Sequence, residues 1–556
     1  MALAITLASV ASALLLAILI RKWMTGSKGT QANLPPGPKG LPLVGNVLDL
    51  PKPGELEAHH WLKHKDIYGA SLLNHPPRWK SKASLIIHSI IGPISSITVF
   101  GQHLIIINDV KIATELLDKR ALKYSDRPTQ VFAADMIGWG DSLAFSQYGD
   151  RFRTYRKNMS RIIGSKSSAG HYNKLQEAEV GHFLLHVLEN PDGLVDHIKR
   201  ETGSIILDIA YGYRSEPFKN DPLIDMVGNV MEQFAVAAAP GTWLKLAVRH
   251  LPRWLPGTSF KRTAETMRSD LQNVIDIPYA FVKDQLSQGT HNTSFLSNLL
   301  DAGDDSAEEK LRNKWSATAL YTAGADTTVS AIACFFLAMT LHPEAQHKAQ
   351  AEIDQVVGKN RLPNLSDRDS LPYVDALVKE TLRWHPVAPM GLPHTSSQDD
   401  MIDGYAIPKG AMLLPNIWWL MAIRHFTHDP EVYQDPMTFR PERFLETEGL
   451  NPETDPHKFV FGFGRRICPG RVLADQALFL NVSQSLAVFN IEGSVTKRGN
   501  AVSQLRFTPG VISHPEPFEA SITPRSSHHE DLIRSIEKTF PWKQGDGELL
   551  KTLERR

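Results

Sequence analysis

Twenty-nine consecutive residues, WSATALYTAGADTTVSAIACFFLAMTLHP (315–343), contain one carboxylate, Asp326, and no Lys or Arg. A helix of this composition is apolar on every side, so it has to cross a core with the rest of the chain wrapped around it. Pro343 stops it, since proline lacks the amide a helix needs and crowds the preceding turn. The next stretch, PEAQHKAQAEIDQVVG, is amphipathic, with Pro343 at its start and Gly358 after its end. PYVDALVKETLRWHP predicts a further helix closed by Pro386. Strand-like alternation is confined to residues 97–108 and to short pieces between Gly391 and Leu414. No long linker and no internal repeat divides residues 47–524. The expected architecture is mainly α with small β-sheets, in a single large domain.

At 556 residues, 42% hydrophobic and 22% charged, the chain is able to bury a large core. Basic and acidic residues balance at 60 each, which gives a nucleic-acid partner no electrostatic footing. The two cysteines, Cys334 and Cys468, lie far apart and suggest a reducing compartment rather than a disulfide framework. The first twenty residues carry no charged side chain, and a helix of that length spans the roughly 30 Å of a bilayer core. Arg21, Lys22 and Lys28 follow it and no basic residue precedes it, which places the remainder on the cytoplasmic side. Residues 1–20 are therefore expected to be a single-pass transmembrane anchor rather than a cleaved signal peptide. Residues 21–46 form a basic and Pro-rich strap, 47–524 the main domain, and 525–556 a charged, weakly amphipathic tail without an assigned role.

Cys468 sits in FGFGRRICPGR (461–471), among three glycines and three arginines. A lone cysteine is more often a small buried hydrophobe, and Cys334, inside AIACFFLAM, fits that description. The surroundings of Cys468 favour a thiolate instead. It precedes a helix-like segment, PGRVLADQALFLNV, whose N-terminal amides and dipole stabilise negative charge. Gly462, Gly464 and Gly470 let the backbone turn tightly and approach a flat partner. Arg466 is placed to pair with an anion on that partner. One thiolate, a close backbone and a cation suit a haem, whose iron takes an axial sulfur and whose propionates need cations.

The pattern F-x-x-G-x-R-x-C-x-G, carried by Phe461, Gly464, Arg466, Cys468 and Gly470, resembles the haem-ligand loop of the cytochrome P-450 superfamily. The remaining motifs follow in that family's order, and the resemblance covers residues 34 to 525. AGADTT (323–328) resembles the family's oxygen-activation segment. There Gly324 leaves room beside the helix, the Thr327 hydroxyl bonds the Ala323 carbonyl, and Asp326 is the implied proton source. Glu380 and Arg383 of ETLR share a helical face, and the resemblance adds Arg443 of FRPERF as a third, structural member. RFRTYRK is similar to the family's W-x-x-x-R helix, with Arg156 at a propionate and Phe152 standing in for the tryptophan. His394 in GLPHTS matches another position that reaches a propionate. The finer texture, KETLRWHPVAPMGLPH and FTPGVISHPEPF, is similar to fungal members of secondary metabolism.

The resemblance implies a membrane-anchored haem–thiolate monooxygenase of the endoplasmic reticulum. It would hold haem b (iron protoporphyrin IX), use dioxygen, and take electrons from NADPH through a separate NADPH–cytochrome P-450 reductase. GFGRRI lacks the third glycine of a dinucleotide fingerprint, in keeping with an external electron donor. Phe132, Met136, Ile137, Tyr321, Ala325, Val387, Met390, Val511 and Ile512 are expected to line the pocket, and their apolar character implies a lipophilic small-molecule substrate. Two alternatives keep the haem: an isomerase or dehydratase using no dioxygen, and a haem-binding sensor or carrier. GDSL (140–143) matches a short esterase signature but lacks its N-terminal placement. The family pattern is departed from twice, at WWLMAIRHF after Ile417 and at residues 70–92. Deleting the latter leaves YGPISSITVFG, a near-ideal family junction. That segment is either translated intron sequence or a loop resting on the membrane.

Overall fold

The computed structural model describes residues 33–52, 54–61, 93–239, 252–254, 257–302, 306–417, 426–430, 432–446, 449, 451–493 and 505–553. The expected anchor, the 70–92 insertion and most of the long link after Ile417 lie outside the described residues. The α-helices of seven residues or more are α1 Asp150–Ile163, α2 Asn173–Glu189, α3 Leu194–Tyr211, α4 Pro222–Ala237, α5 Phe260–Gln288, α6 Phe295–Ala302, α7 Ala307–Leu341, α8 Pro343–Val356, α9 Pro372–Trp384, α10 Arg471–Val488, α11 Ser527–Thr539 and α12 Gly547–Leu553. The apolar run that begins at Trp315 falls in α7, which lies against α1, α3, α4 and α10. Ser306 caps it by accepting the Glu309 amide, and Glu308 and Glu309 suit the positive end of its dipole. Among the described residues it alone is long and apolar enough to cross a membrane, yet 67% of its most apolar window is buried inside the protein. It is a core helix.

The strands are β1 Ile94–Val99, β2 Gln102–Ile107, β3 His394–Thr395, β4 Asp400–Ile402, β5 Tyr405–Ile407, β6 Met412–Pro415, β7 Phe489–Gly493 and β8 Ala520–Pro524. The alternation at 97–108 belongs to a hairpin, β1 with β2, broken by Phe100 and Gly101 at φ 48° and 83°. β2 pairs parallel with β6 and β6 antiparallel with β3, giving the order β1-β2-β6-β3. This register carries His394 from β3 to the edge of the cavity described below.

The Glu380 carboxylate on α9 accepts two bonds from Arg383, at 2.7 and 2.8 Å, and meets Arg443 Nε at 3.1 Å. All three side chains are fully buried. The remaining guanidinium donors fasten the loop ahead of the Cys468 segment: Arg383 to the carbonyls of Thr427 and Pro436, Arg443 to those of Gln434 and Thr438. Removing one member would strand a buried charge, at a cost of about 3–5 kcal/mol.

Residues 525–553 fold back on the domain. Arg525 grips Asp354 of α8 through two bonds, 2.9 and 2.7 Å. α11 buries His529, Ile533 and Ile536 against α2. Trp542 stacks on His182 of α2, centroids 3.9 Å apart, and α12 docks on α5.

Candidate active site

Midway along α7, Ala323 is exposed and Gly324, Thr327 and Thr328 are half-buried, between buried stretches at 320–322 and 329–339. They face an internal cavity of about 400 Å³ whose second wall is the Cys468 loop and the start of α10. The Thr327 hydroxyl donates to the Ala323 carbonyl at 2.6 Å, competing with the helical ladder there. A Cβ on Gly324 would stand 2.8 Å from Ile206 on α3, so that glycine serves close helix packing, and the room beside it is filled rather than left open. Asp326 is not among the residues lining the cavity, and its Oδ1 lies 3.2 Å from His514 Nε2.

The Cys468 loop is shaped by backbone. Gly462 and Gly464 have φ of 81° and 50°, and Cys468 donates its amide to the Phe461 carbonyl at 2.8 Å. Gly464 does not line the cavity, so its expected place at the cofactor is corrected. It lies behind the loop, where a Cβ would stand 2.2 Å from the Leu117 carbonyl oxygen. Gly470 has an ordinary φ of −86°. Its absent Cβ would sit 3.9 Å from Cys468 Sγ, in a position lining the cavity, so glycine here keeps the floor beside the sulfur clear. Burial pushes the Cys468 thiol up, while the amides of Gly470 and Arg471 and the cations of Arg156 and Arg471 oppose that shift. Cys334 is fully buried in α7, and burial raises its thiol far higher.

Four basic side chains line the cavity: Arg127, Arg156, His394 and Arg466. The one carboxylate among the described lining residues, Asp475, is held by Arg368 at 2.6 and 2.9 Å and by His457 at 2.9 Å. Arg127 and Arg466 are 7% and 9% exposed, and burial, together with Arg127's nearness to Arg466, depresses the Arg127 guanidinium well below its usual value. Burial likewise brings Arg466 down to about 10. Backbone carbonyls fix these cations: Arg466 on Ser125 and Ser146, Arg127 on Leu392, Pro393 and Ala144, and Arg156 on Ile467. His394 donates its Nδ1 proton to the Tyr124 carbonyl at 2.7 Å. Burial, then Arg127 and Arg466, push its pKa well down. The Arg466 guanidinium lies 3.9 Å over the Phe152 ring, so the residue replacing tryptophan still supplies a platform, without an indole donor. An apolar slot with surplus buried cations and one thiol at its floor fits haem: a dianionic edge for the cations and an axial position for the sulfur.

Of the sequence-predicted site residues, the cavity brings together Phe152, Arg156, Thr327, His394, Phe461, Arg466, Cys468 and Gly470. Glu380, Arg383 and Arg443 lie apart from it. Of the expected apolar lining, Val387, Val511 and Ile512 are in place. Phe132, Met136, Ile137, Tyr321 and Ala325 are corrected. They pack in or against the hydrophobic core, with the Tyr321 hydroxyl held on the Leu223 carbonyl of α4. Tyr321 and Ala325 lie on the face of α7 turned from the cavity, whereas Ala319, Ala323 and Thr327 recur at the helical spacing of four. Met390 borders a separate small pocket beside Glu57 and Gln130. The aromatic wall comes instead from Trp139, Phe234 and Trp315, with Trp139 edge-on to Phe234 at 4.8 Å. Sequence reasoning missed these rings, Arg127 and His514. The run SDRP (125–128) offered one weak signal, an arginine before a proline.

The family model described as Cytochrome P450 matches residues 83–522. The chain belongs to that family. It is similar to the cytochrome P450 monooxygenase claR of Ampulloclitocybe clavipes, 45% identical over 93% of this chain and 91% of the relative. It is similar, too, to the cytochrome P450 monooxygenase ppsD of Aspergillus oryzae, at 44% over 96% of both chains. The O-methylsterigmatocystin oxidoreductase of Aspergillus flavus is 40% identical over 96% of this chain and 95% of its own length. The protein is thus an oxygenating oxidoreductase, a haem–thiolate monooxygenase working with a redox partner and dioxygen on a lipophilic substrate. The isomerase, dehydratase and sensor alternatives are not favoured.

Proposed function

We propose that the Cys468 sulfur would hold the iron of haem b, with Arg127, Arg156, His394 and Arg466 holding its propionates and Phe152 supporting Arg466. The observation that carries this reading is the cavity itself, where surplus buried cations and a thiol converge without a free carboxylate. When bound, the haem supplies the oxidising chemistry at its iron. The net reaction consumes substrate R–H, O₂, NADPH and one proton, and yields R–OH, water and NADP⁺. NADPH–cytochrome P-450 reductase is the electron source. Residues 1–20 anchor the protein in the endoplasmic-reticulum membrane with the main domain on the cytoplasmic side. Trp139, Phe234 and Trp315 hold a lipophilic substrate by apolar and ring contacts, and their bulk excludes water. Asp326 delivers protons and Thr327 relays them at the break in the α7 ladder. One relative's name refers to O-methylsterigmatocystin, in keeping with a fungal secondary metabolite as substrate here.

Cys468→Ser tests the assignment. The reduced, carbon-monoxide-bound absorption of thiolate haem disappears in that variant and persists in Cys334→Ser. Retention of the band by Cys468→Ser overturns it.

A further inference from the structure

Residues 505–516 form a hairpin fastened to α7. Phe507 bridges Pro515, and Thr508 receives the His514 amide on its hydroxyl at 2.9 Å while donating its own amide to the His514 carbonyl at 2.8 Å. Ser330 of α7 donates its hydroxyl to the Ser513 carbonyl at 2.6 Å, and the Ser513 amide reaches the Val387 carbonyl at 2.9 Å. The hairpin therefore sits in one register on α7. Its tip contributes Val511 and Ile512 to the cavity wall, and the next residues place His514 Nε2 3.2 Å from Asp326 Oδ1. A carboxylate only accepts, so the imidazole donates.

We propose that His514 is a positioning residue for Asp326, an inference that rests on the proton-delivery role given to Asp326 above. The Nε2–H bond fixes one carboxylate oxygen and leaves Oδ2 to carry the proton. With an 18% exposed side chain, Asp326 is reprotonated from solvent after each transfer. His514 keeps its own proton throughout. The two protons used per turnover leave with one oxygen atom as water. Without the bond the carboxylate is free to leave the rotamer it holds beside His514, and the reduced dioxygen is then released as hydrogen peroxide instead of being cleaved.

The test uses the full-length, haem-loaded protein with its reductase, and compares His514→Leu, His514→Gln and Asp326→Asn. Losing a hydrogen bond to a charged group is worth about 1.5–3 kcal/mol, so His514→Leu should form about tenfold less product per NADPH, with peroxide rising to match. His514→Gln retains a side-chain N–H and should recover most of the product yield. Crystal structures should show Asp326 displaced in the Leu variant and in place in the Gln variant. The spin shift on adding a hydrophobic ligand should stay within twofold of wild type in both. Unchanged product yield in His514→Leu while Asp326→Asn is uncoupled overturns the role of His514 alone. Unchanged yield in Asp326→Asn overturns the underlying assignment of Asp326. Equal losses in the Leu and Gln variants with Asp326 unmoved in both also overturn the inference.

Discussion

Arg127 shows how much a single side chain in this cavity is asked to tolerate. It is a guanidinium at 7% exposure, with another buried arginine close enough to depress it. Such a charge is costly unless an anion arrives to pair with it. Arg127→Leu should therefore lose haem on the order of ten times faster, the worth of one charge-assisted bond. Haem transfer to an apoprotein acceptor measures that rate, and wild-type retention would place the propionates elsewhere. Thr327→Ala acts on a different step. It should leave haem content and ligand binding nearly unchanged and divert electrons to peroxide, read as product formed per NADPH. Equal yield in variant and wild type would remove Thr327 from the relay.

At the scale of elements, the start of α10 is tied to α9 and to the loop ahead of Cys468 by one ionic cluster. Asp475 accepts from Arg368 and His457, and Asp455 lies 2.6 Å from His457 Nδ1. Burial alone would lower the His457 pKa, but its bonds to Asp455 and Asp475 outweigh it and hold the ring at about 9. Asp475 is shifted the opposite way: burial raises it, and His457 and Arg368 prevail to depress it far below the usual carboxylate range. A raised histidine stabilises the fold fully below its unfolded value of about 6.5 and loses that contribution as pH climbs through 9. A depressed aspartate stabilises above about 3.9 and loses its contribution in acid. The contribution of the His457–Asp475 cluster to thermal stability should therefore be flat from about pH 5 to 6.5 and decline towards pH 9.5, by on the order of 1–2 kcal/mol for a ring one-quarter exposed. Melting curves of His457→Gln should lack that alkaline decline.

For the whole molecule, residues 525–553 join α2, α5 and α8, elements far apart in the chain. Trp542 touches His182, His186 and Phe218, Asp546 accepts the Arg214 amide at 2.8 Å, and Gly547 donates to Glu216 at 3.1 Å. The family match ends at residue 522, and this clasp lies beyond it. Ending the chain after Pro524 should uncover the α2 surface and give aggregated or poorly haem-loaded protein. Trp542→Ala, a gentler lesion, should cost on the order of 2 kcal/mol for a partly buried indole. A truncated protein with the wild-type melting temperature would show the clasp to be dispensable.

What the sequence determined by itself was local. Proline stops and apolar content placed α7, α8 and α9, since a helix depends on neighbours within four residues. The Cys468 loop was legible because its glycines, arginines and cysteine are contiguous. Even so, its neighbours could not say that Gly464 meets the Leu117 carbonyl while Gly470 faces the sulfur. The tertiary structure alone decided which face of α7 meets the cavity, because a helix apolar all round presents no polar side to orient it. For that reason Tyr321 and Ala325 exchanged places with Trp139, Phe234 and Trp315. It also decided the charges. Arg127 gains its meaning from Arg466, and Asp326 from His514, through chain reversals that bring distant side chains within a few ångströms, where burial removes the water that would otherwise screen them.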